Sequence, residues 1–233
     1  MDFQHFLSEL DTRIRQYDLL CHPFYKAWSA GTLTRDDLRV YAEQYYPHVE
    51  AFPTYLAEFG IRLEDGELRR AVLENLCDEK GGEDTDGEPA TSHADLWLDF
   101  VQGMGGVRSR RVQPQVEEVK ELMSSFHRVA SEGTPAEALA SFYAYESQVP
   151  RVAEAKEAGL RELYQSDEKT RKYFEVHKTA DVFHSNVWKE QLGHCVNGDP
   201  VAENQALDAA EAAAKALWHA LDGIETERMA RAA

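Results

Sequence analysis

The stretch DEKTRKYFEVHKTADVFHSNVWKEQLGHCV, residues 167–196, decides how this sequence is read. Asp167 is a helix cap, Glu168 places an acid in the first turn, and no proline interrupts the run to about Val196. Inside it stands His177-x-x-x-Asp181-x-x-His184. At about 100° per residue, positions i, i+4 and i+7 share an arc of roughly 60° on one helix face. Over seven residues a helix rises about 10.5 Å, so both imidazoles would strain to reach one ion. Two ions roughly 3.5–4 Å apart, with Asp181 between the histidines, fit that length better. Phe183 and Trp188 are expected to keep such a site dry. The same spacing also reads as a solvated face of ion-paired histidine and aspartate.

Helical signals continue outward from this segment. Phe3, Phe6, Leu10, Ile14 and Tyr17 recur at steps of three and four and predict a helix over 3–20. A short segment, Pro23 to Ala30, precedes a turn at Gly31. Thr34 caps a long helix with Asp36 and Asp37 in its first turn, expected to bend near Pro47 and Pro53. Another helix spans 67–79, and residues 80–92 form a loop by composition. Ser92 caps a helix reaching Gly103, where Gly103-Met104-Gly105-Gly106 reads as a C-cap loop. Pro114 opens a helix ending near Gly133. Thr134-Pro135-Ala136-Glu137 then starts one that runs to Gly159, bent at Pro150. An alanine-rich helix from Ala202 to Leu221 follows the deciding stretch. With no fixed-period repeat and no linker, the expectation is all-α: one helical bundle of seven to eight helices, a single domain over 1–233.

Acidic side chains number 42 against 25 basic, a formal net charge of −17, so the field of the molecule repels phosphate. That argues against nucleic acid and anionic membrane as partners. No apolar run reaches the length of a transmembrane helix, and Met1-Asp2-Phe3-Gln4-His5 lacks a signal-peptide pattern, giving a soluble, cytoplasmic expectation. Cys21, Cys77 and Cys195 are too scattered for a disulfide framework or a Cys-x-x-Cys site and read as small buried hydrophobes.

One helix cannot close a metal site, so carboxylates elsewhere are candidates. Glu146 sits in Ser141-Phe142-Tyr143-Ala144-Tyr145-Glu146, where a buried acid needs a cation, donors or a proton. A carboxyl hydrogen-bonded to a tyrosine satisfies the same pattern. Glu79 ends an apolar-periodic helix facing the loop to His93. Six acids fall in 78–88, mostly a solvated charge run, and Asp84-Thr85-Asp86-Gly87-Glu88 lacks the full register of an EF-hand. Nucleophile elbow, P-loop and His-Glu-x-x-His motifs are missing. Tyr25, Tyr41, Tyr45, Tyr46, Tyr55, Tyr143 and Tyr145 read mostly as core, or in part as the lining of a dry cavity that takes part in oxidation.

Several joined segments carry a resemblance. Phe24-Tyr25-Lys26-Ala27-Trp28, the run from Tyr41 to Pro53, Glu74 to Glu79, His93 to Trp97, Tyr145 to Pro150 and the His177–His184 motif resemble the chlamydial death-domain-associating protein family, in order over roughly residues 10–195. That family groups with haem-oxygenase-like di-metal oxidases, whose fold is related to thiaminase and pyrroloquinoline-quinone synthase. The resemblance implies a haem-oxygenase-like bundle holding two metal ions, Fe/Fe or Fe/Mn, with dioxygen as oxidant. It implies p-aminobenzoate formation for folate metabolism by oxidative breakdown of the protein's own tyrosine. Carried over by position, the metal ligands are Glu79, His93, Glu146, His177, Asp181 and His184. The consumed tyrosine is Tyr25, the amino donor Lys156, and Tyr145 a redox relay or a neighbour supporting a ligand. Residues 80–92 are longer than the family's usual gap and Lys80 stands where an acid is usual, so His93 or a loop acid such as Glu83 completes the set.

Other readings compete: a small external aromatic substrate in place of Tyr25, a metal-free thiaminase-like or quinone-synthase-like enzyme, or an interaction module for a death-domain-type protein. A homodimer is compatible with any of them. Haem ligation through His22 is disfavoured, since Pro23 follows it and haem would compete with the carboxylates for space.

Overall fold

A computed structural model of the chain describes residues 2–82, 90–111 and 113–232. Glu83 and the Asp84–Glu88 fragment lie outside the described residues. Within them the chain forms ten α-helices, one 3-10 turn at Leu19–Cys21, and no strand. The helices are α1 Phe3–Arg15, α2 Pro23–Ser29, α3 Arg35–Arg62, α4 Glu67–Glu79, α5 His93–Gly103, α6 Glu117–Glu132, α7 Pro135–Glu146, α8 Val149–Glu162, α9 Glu168–Val196 and α10 Pro200–Ala232.

The all-α reading stands, and the count rises from seven or eight to ten for two local reasons. The short segment at Pro23 is a true helix, with proline in its first turn and the His22 ring accepting the Phe24 N–H at 3.1 Å. The expected bend at Pro150 is a break instead. Pro150 falls in the first turn of α8, where a missing N–H costs little, and Ser147–Gln148 separate α7 from α8. Gln148 is buried in this break and accepts the Leu19 N–H at 3.1 Å. By contrast α3 runs unbroken through Pro47 and Pro53. Helix α6 starts at Glu117 rather than Pro114, because Gln44 Oε1 accepts the N–H groups of Gln115 and Val116 ahead of it. Reciprocal capping boxes at Thr34/Asp37 and Thr134/Glu137 fix the starts of α3 and α7 as the sequence signals them.

Helix α7 is the centre of the molecule. Ala136 and every residue from 138 to 146 are buried, so it is enclosed on all sides, chiefly by α9 and α10. Helix α3 packs across α4, α5 and α6, while α5 and α8 lie on α9 and α1 lies on α10. Two close approaches set the site. A Cβ on Gly103 would stand 2.0 Å from Thr170 Oγ1, so only glycine lets the end of α5 meet the start of α9. A Cβ on Gly159 would stand 2.8 Å from the Trp28 ring, so glycine there seats α8 against α2. Trp28 Nε1 then donates to the Lys156 carbonyl at 3.3 Å.

The seven clustered tyrosines are all buried. Two of the cysteines are not small buried hydrophobes: Cys21 and Cys77 are exposed, while Cys195 is half-buried against the core. Among the described residues no helix is long and apolar enough to cross a membrane.

Candidate metal centre

Four helices deliver the six candidate ligands. Glu79 is the last residue of α4, His93 the first of α5, and Glu146 the last of α7; His177, Asp181 and His184 come from the middle of α9. All six are buried. They separate into two trios, Glu79–His93–His177 and Glu146–Asp181–His184, each with ligand atoms within 4.8 Å of one another. His177 and His184 therefore serve different clusters, the division that their separation along α9 demands. Trp188 is fully buried beside this centre, but Phe183 is 63% exposed and does not dry it. Position i+6 from His177 turns away from the ligand face.

In the first trio His93 Nδ1 lies 2.9 Å from Glu79 Oε2, and the His93 and His177 rings are 4.3 Å apart. His177 stacks on Tyr173 at 3.9 Å, and its Nδ1–H donates to the Tyr173 carbonyl at 2.7 Å. A carbonyl only accepts, so the proton is held on Nδ1 and Nε2 is left with its lone pair. In the second trio Glu146 has both oxygens engaged, Oε1 by Asn75 Nδ2 at 3.1 Å and Oε2 by Trp188 Nε1. His184 Nδ1 faces Asp181 at 3.5 Å and Glu146 at 3.9 Å, and Nε2–H donates to Asp78 at 3.1 Å.

Charge and hydrogen bonding both ask for cations here. Burial, followed by repulsion from Asp181, drives the Glu146 carboxyl up, and burial likewise raises Asp181. Burial and then the neighbouring His93 push His177 well below the ordinary imidazole range. His93 Nδ1 and His184 Nδ1 are buried and make no hydrogen bond although carboxylate oxygens lie close by. Nearby but misaligned donors and acceptors are what side chains show when they converge on a shared point. Three carboxylates and three imidazoles, with no thiolate, suit iron or manganese and leave most of the charge of two divalent ions balanced. The residues present fit a pair of such ions.

A second polar chamber adjoins the first. Lys156, from α8, is buried with Nζ 2.8 Å from the Tyr25 hydroxyl and 2.5 Å from that of Tyr41; the two hydroxyls are 3.0 Å apart. Lys156 Nζ lies 4.2 Å from the Tyr25 ring centre and 4.8 Å from that of Tyr41. Burial pushes Lys156 well below the usual lysine range and both phenols above theirs, in each case toward the neutral form. The cavity beside them has a volume of about 30 Å³. A smaller one, about 10 Å³, touches Glu79, Glu146, His177 and Asp181. Tyr145 and Tyr173 line both cavities and form the wall between them.

Sequence reasoning passed over Tyr173, Asn75, Asp78 and Trp188 as partners of the ligands, and Tyr41 as a partner of Lys156. Two signals were legible: Tyr173 precedes His177, and Asn75 precedes Glu79, by four residues, one helical turn. His22 is not free for haem. Its Nδ1 caps α2 and its Nε2 is 3.1 Å from Asp222.

Residues 39–218 match the family model described as iron-containing redox enzyme. The chain belongs to that family. It is 34% identical over 224 residues to a 4-aminobenzoate synthase of Chlamydia trachomatis serovar D, covering 95% of this chain and 93% of that one. It is 35% identical over 230 residues to a 4-aminobenzoate synthase of Nitrosomonas europaea, covering 94% and 90%. A solved domain with a haem-oxygenase-like fold from Shewanella denitrificans superposes with a TM-score of 0.79 at 17% identity, covering 98% of this chain and 94% of that one, and confirms the fold. A family defined by iron and oxidation chemistry agrees with the donor set of the two trios.

Proposed function

We propose that this redox enzyme forms 4-aminobenzoate from its own Tyr25, with Lys156 as nitrogen donor and dioxygen as oxidant. The observation that carries this reading is the contact of the Lys156 amine with the Tyr25 hydroxyl, 2.8 Å, in a chamber with no room for a second ring. A cavity of about 30 Å³ holds a water or a diatomic gas, whereas pockets for organic ligands start at roughly 300 Å³. The aromatic group available in this chamber is therefore the protein's own.

The carbon count agrees. A tyrosine ring with its Cβ holds the seven carbons of a benzoate, so the product requires cleavage of Cα–Cβ, oxidation of Cβ by dioxygen and replacement of the phenol oxygen, which leaves as water, by Nζ, whose bond to Cε of Lys156 breaks. Lys156 stands beside the oxygen to be replaced. Its neutral amine has a lone pair, as a nitrogen nucleophile must. Tyr41 hydrogen-bonds both partners and fixes the amine over the Tyr25 ring. Trp28, Trp97 and Phe174 enclose the group and exclude water.

Glu79, His93 and His177 would hold one ion and Glu146, Asp181 and His184 the other, as iron with iron or iron with manganese; bound there, the pair supplies oxygen activation. Tyr145 is assigned as a relay, joined by Tyr173. A wall of phenols passes electrons and protons between the chambers where aliphatic side chains would insulate them. Relatives over nearly the whole chain carry the name 4-aminobenzoate synthase, which supports the product assigned.

Tyr25→Phe tests the reading. The variant keeps the ring, the packing and two ions per chain, and yields no 4-aminobenzoate. Undiminished product from it would overturn the assignment of Tyr25.

A further inference from the structure

The two trios are anchored differently, and the difference lies in what holds the far side of each α9 histidine. His177 is locked from within its own helix: the Tyr173 carbonyl takes its Nδ1 proton, and both groups are buried. No side-chain substitution removes that acceptor. His184 is locked from another helix, by the Asp78 carboxylate at the end of α4, whose side chain is 57% exposed. For Nδ1 of His184 to offer a lone pair toward Asp181 and Glu146, the ring proton must stay on Nε2. Asp78 is the acceptor that keeps it there.

We infer that Asp78 is a positioning residue for the Glu146–Asp181–His184 trio, and that the ion held there is the exchangeable one of the two. The inference rests on the dinuclear reading above. The Asp78 carboxylate is open to water, which competes for it, while the Tyr173 carbonyl is buried, so the orientation of His184 is the less secure of the two. Asp78 also directly precedes Glu79, a ligand of the other trio. One end of α4 thus serves both ions, with a buried carboxylate as ligand to one and an exposed carboxylate orienting the ligand of the other.

The test compares wild type, Asp78→Ala and Asp78→Asn, each loaded anaerobically with iron(II). Iron per chain is measured by elemental analysis, and its release to a chromogenic iron(II) chelator is followed in time. Wild type should hold two irons and release them in two phases. Asp78→Ala should speed the faster phase by about tenfold or more, leaving the slower phase unchanged. Asp78→Asn should restore most of the retention, because its amide oxygen still accepts the Nε2 proton. Release from Asp78→Ala at the wild-type rate would overturn the inference, as would equal loss from both variants. Wild type that binds no stoichiometric iron would instead overturn the dinuclear reading itself. Circular dichroism of both variants should match wild type, since an exposed side chain is being changed.

Discussion

The two adjoining chambers bury polar groups in opposite ways. In one, three carboxylates and three imidazoles crowd together, and burial and mutual repulsion leave Glu146 and Asp181 far from their ordinary ionisation. In the other, an amine and two phenols satisfy each other, and burial favours the neutral form of each. The first arrangement leaves buried imidazole nitrogens of His93 and His184 without a hydrogen bond; the second hydrogen-bonds its amine and both hydroxyls to one another. Tyr145 and Tyr173 line both chambers and form the wall between them. His48 shows a third solution, a fully buried imidazole with both nitrogens lacking a hydrogen bond, packed edge-on against Tyr45 and Tyr145 at 5.3 Å.

Breaking the comparison at the metal chamber should have the largest effect. Chelation of the loaded protein should lower its stability by about 4 kcal/mol for each ion removed, the linkage expected when free metal stands at a thousand times its dissociation constant. Urea denaturation before and after chelation measures this. In Glu146→Ala, which abolishes one trio, chelation should cost markedly less, and an unchanged chelation effect would separate that glutamate from the ions.

A smaller effect is expected at His48, whose pKa burial pushes down from 6.5 to about 3. The unfolded chain takes up a proton below pH 6.5 that the native state refuses. Stability is therefore present at neutral pH and declines as the pH falls toward 3. Relative to His48→Phe, wild type should lose about 2 kcal/mol between pH 7 and pH 5. Parallel pH profiles in the two proteins would contradict this assignment of a neutral, unpartnered ring.

The smallest effect is predicted at the amine chamber. Lys156→Met removes a desolvated amine while the Tyr25 and Tyr41 hydroxyls retain each other, so stability should rise by about 1 kcal/mol. Product formation should vanish in the same variant. A loss of stability would show that the amine is held there for packing rather than for reaction.

Much of the fold was legible because helix starts are written locally. Thr34, Ser92, Thr134 and Asp167 each cap the helix their position announces. Ends and breaks were less so. Pro150 is compatible with a bend or a restart, and the choice belongs to Gln148, which accepts from Leu19 across the fold while donating to Ala144 one turn back. For the site, spacing along α9 proposed two ions and local context proposed Glu146 and Glu79, while His93 came from the resemblance. Which histidine joins which carboxylate depends on how α4, α5 and α7 meet α9, which no local pattern carries. The same holds for Asp78 and Trp188, whose roles exist only through contacts with another helix.

The most direct test is to prepare the protein with ring-¹³C tyrosine and ¹⁵N-lysine, load it with iron, and supply unlabelled reductant and dioxygen. Self-consumption predicts that 4-aminobenzoate carries both labels, in no more than one equivalent per chain, with the matching loss found in the peptide containing Tyr25. Unlabelled product, or many equivalents per chain drawn from an added aromatic compound, would contradict it.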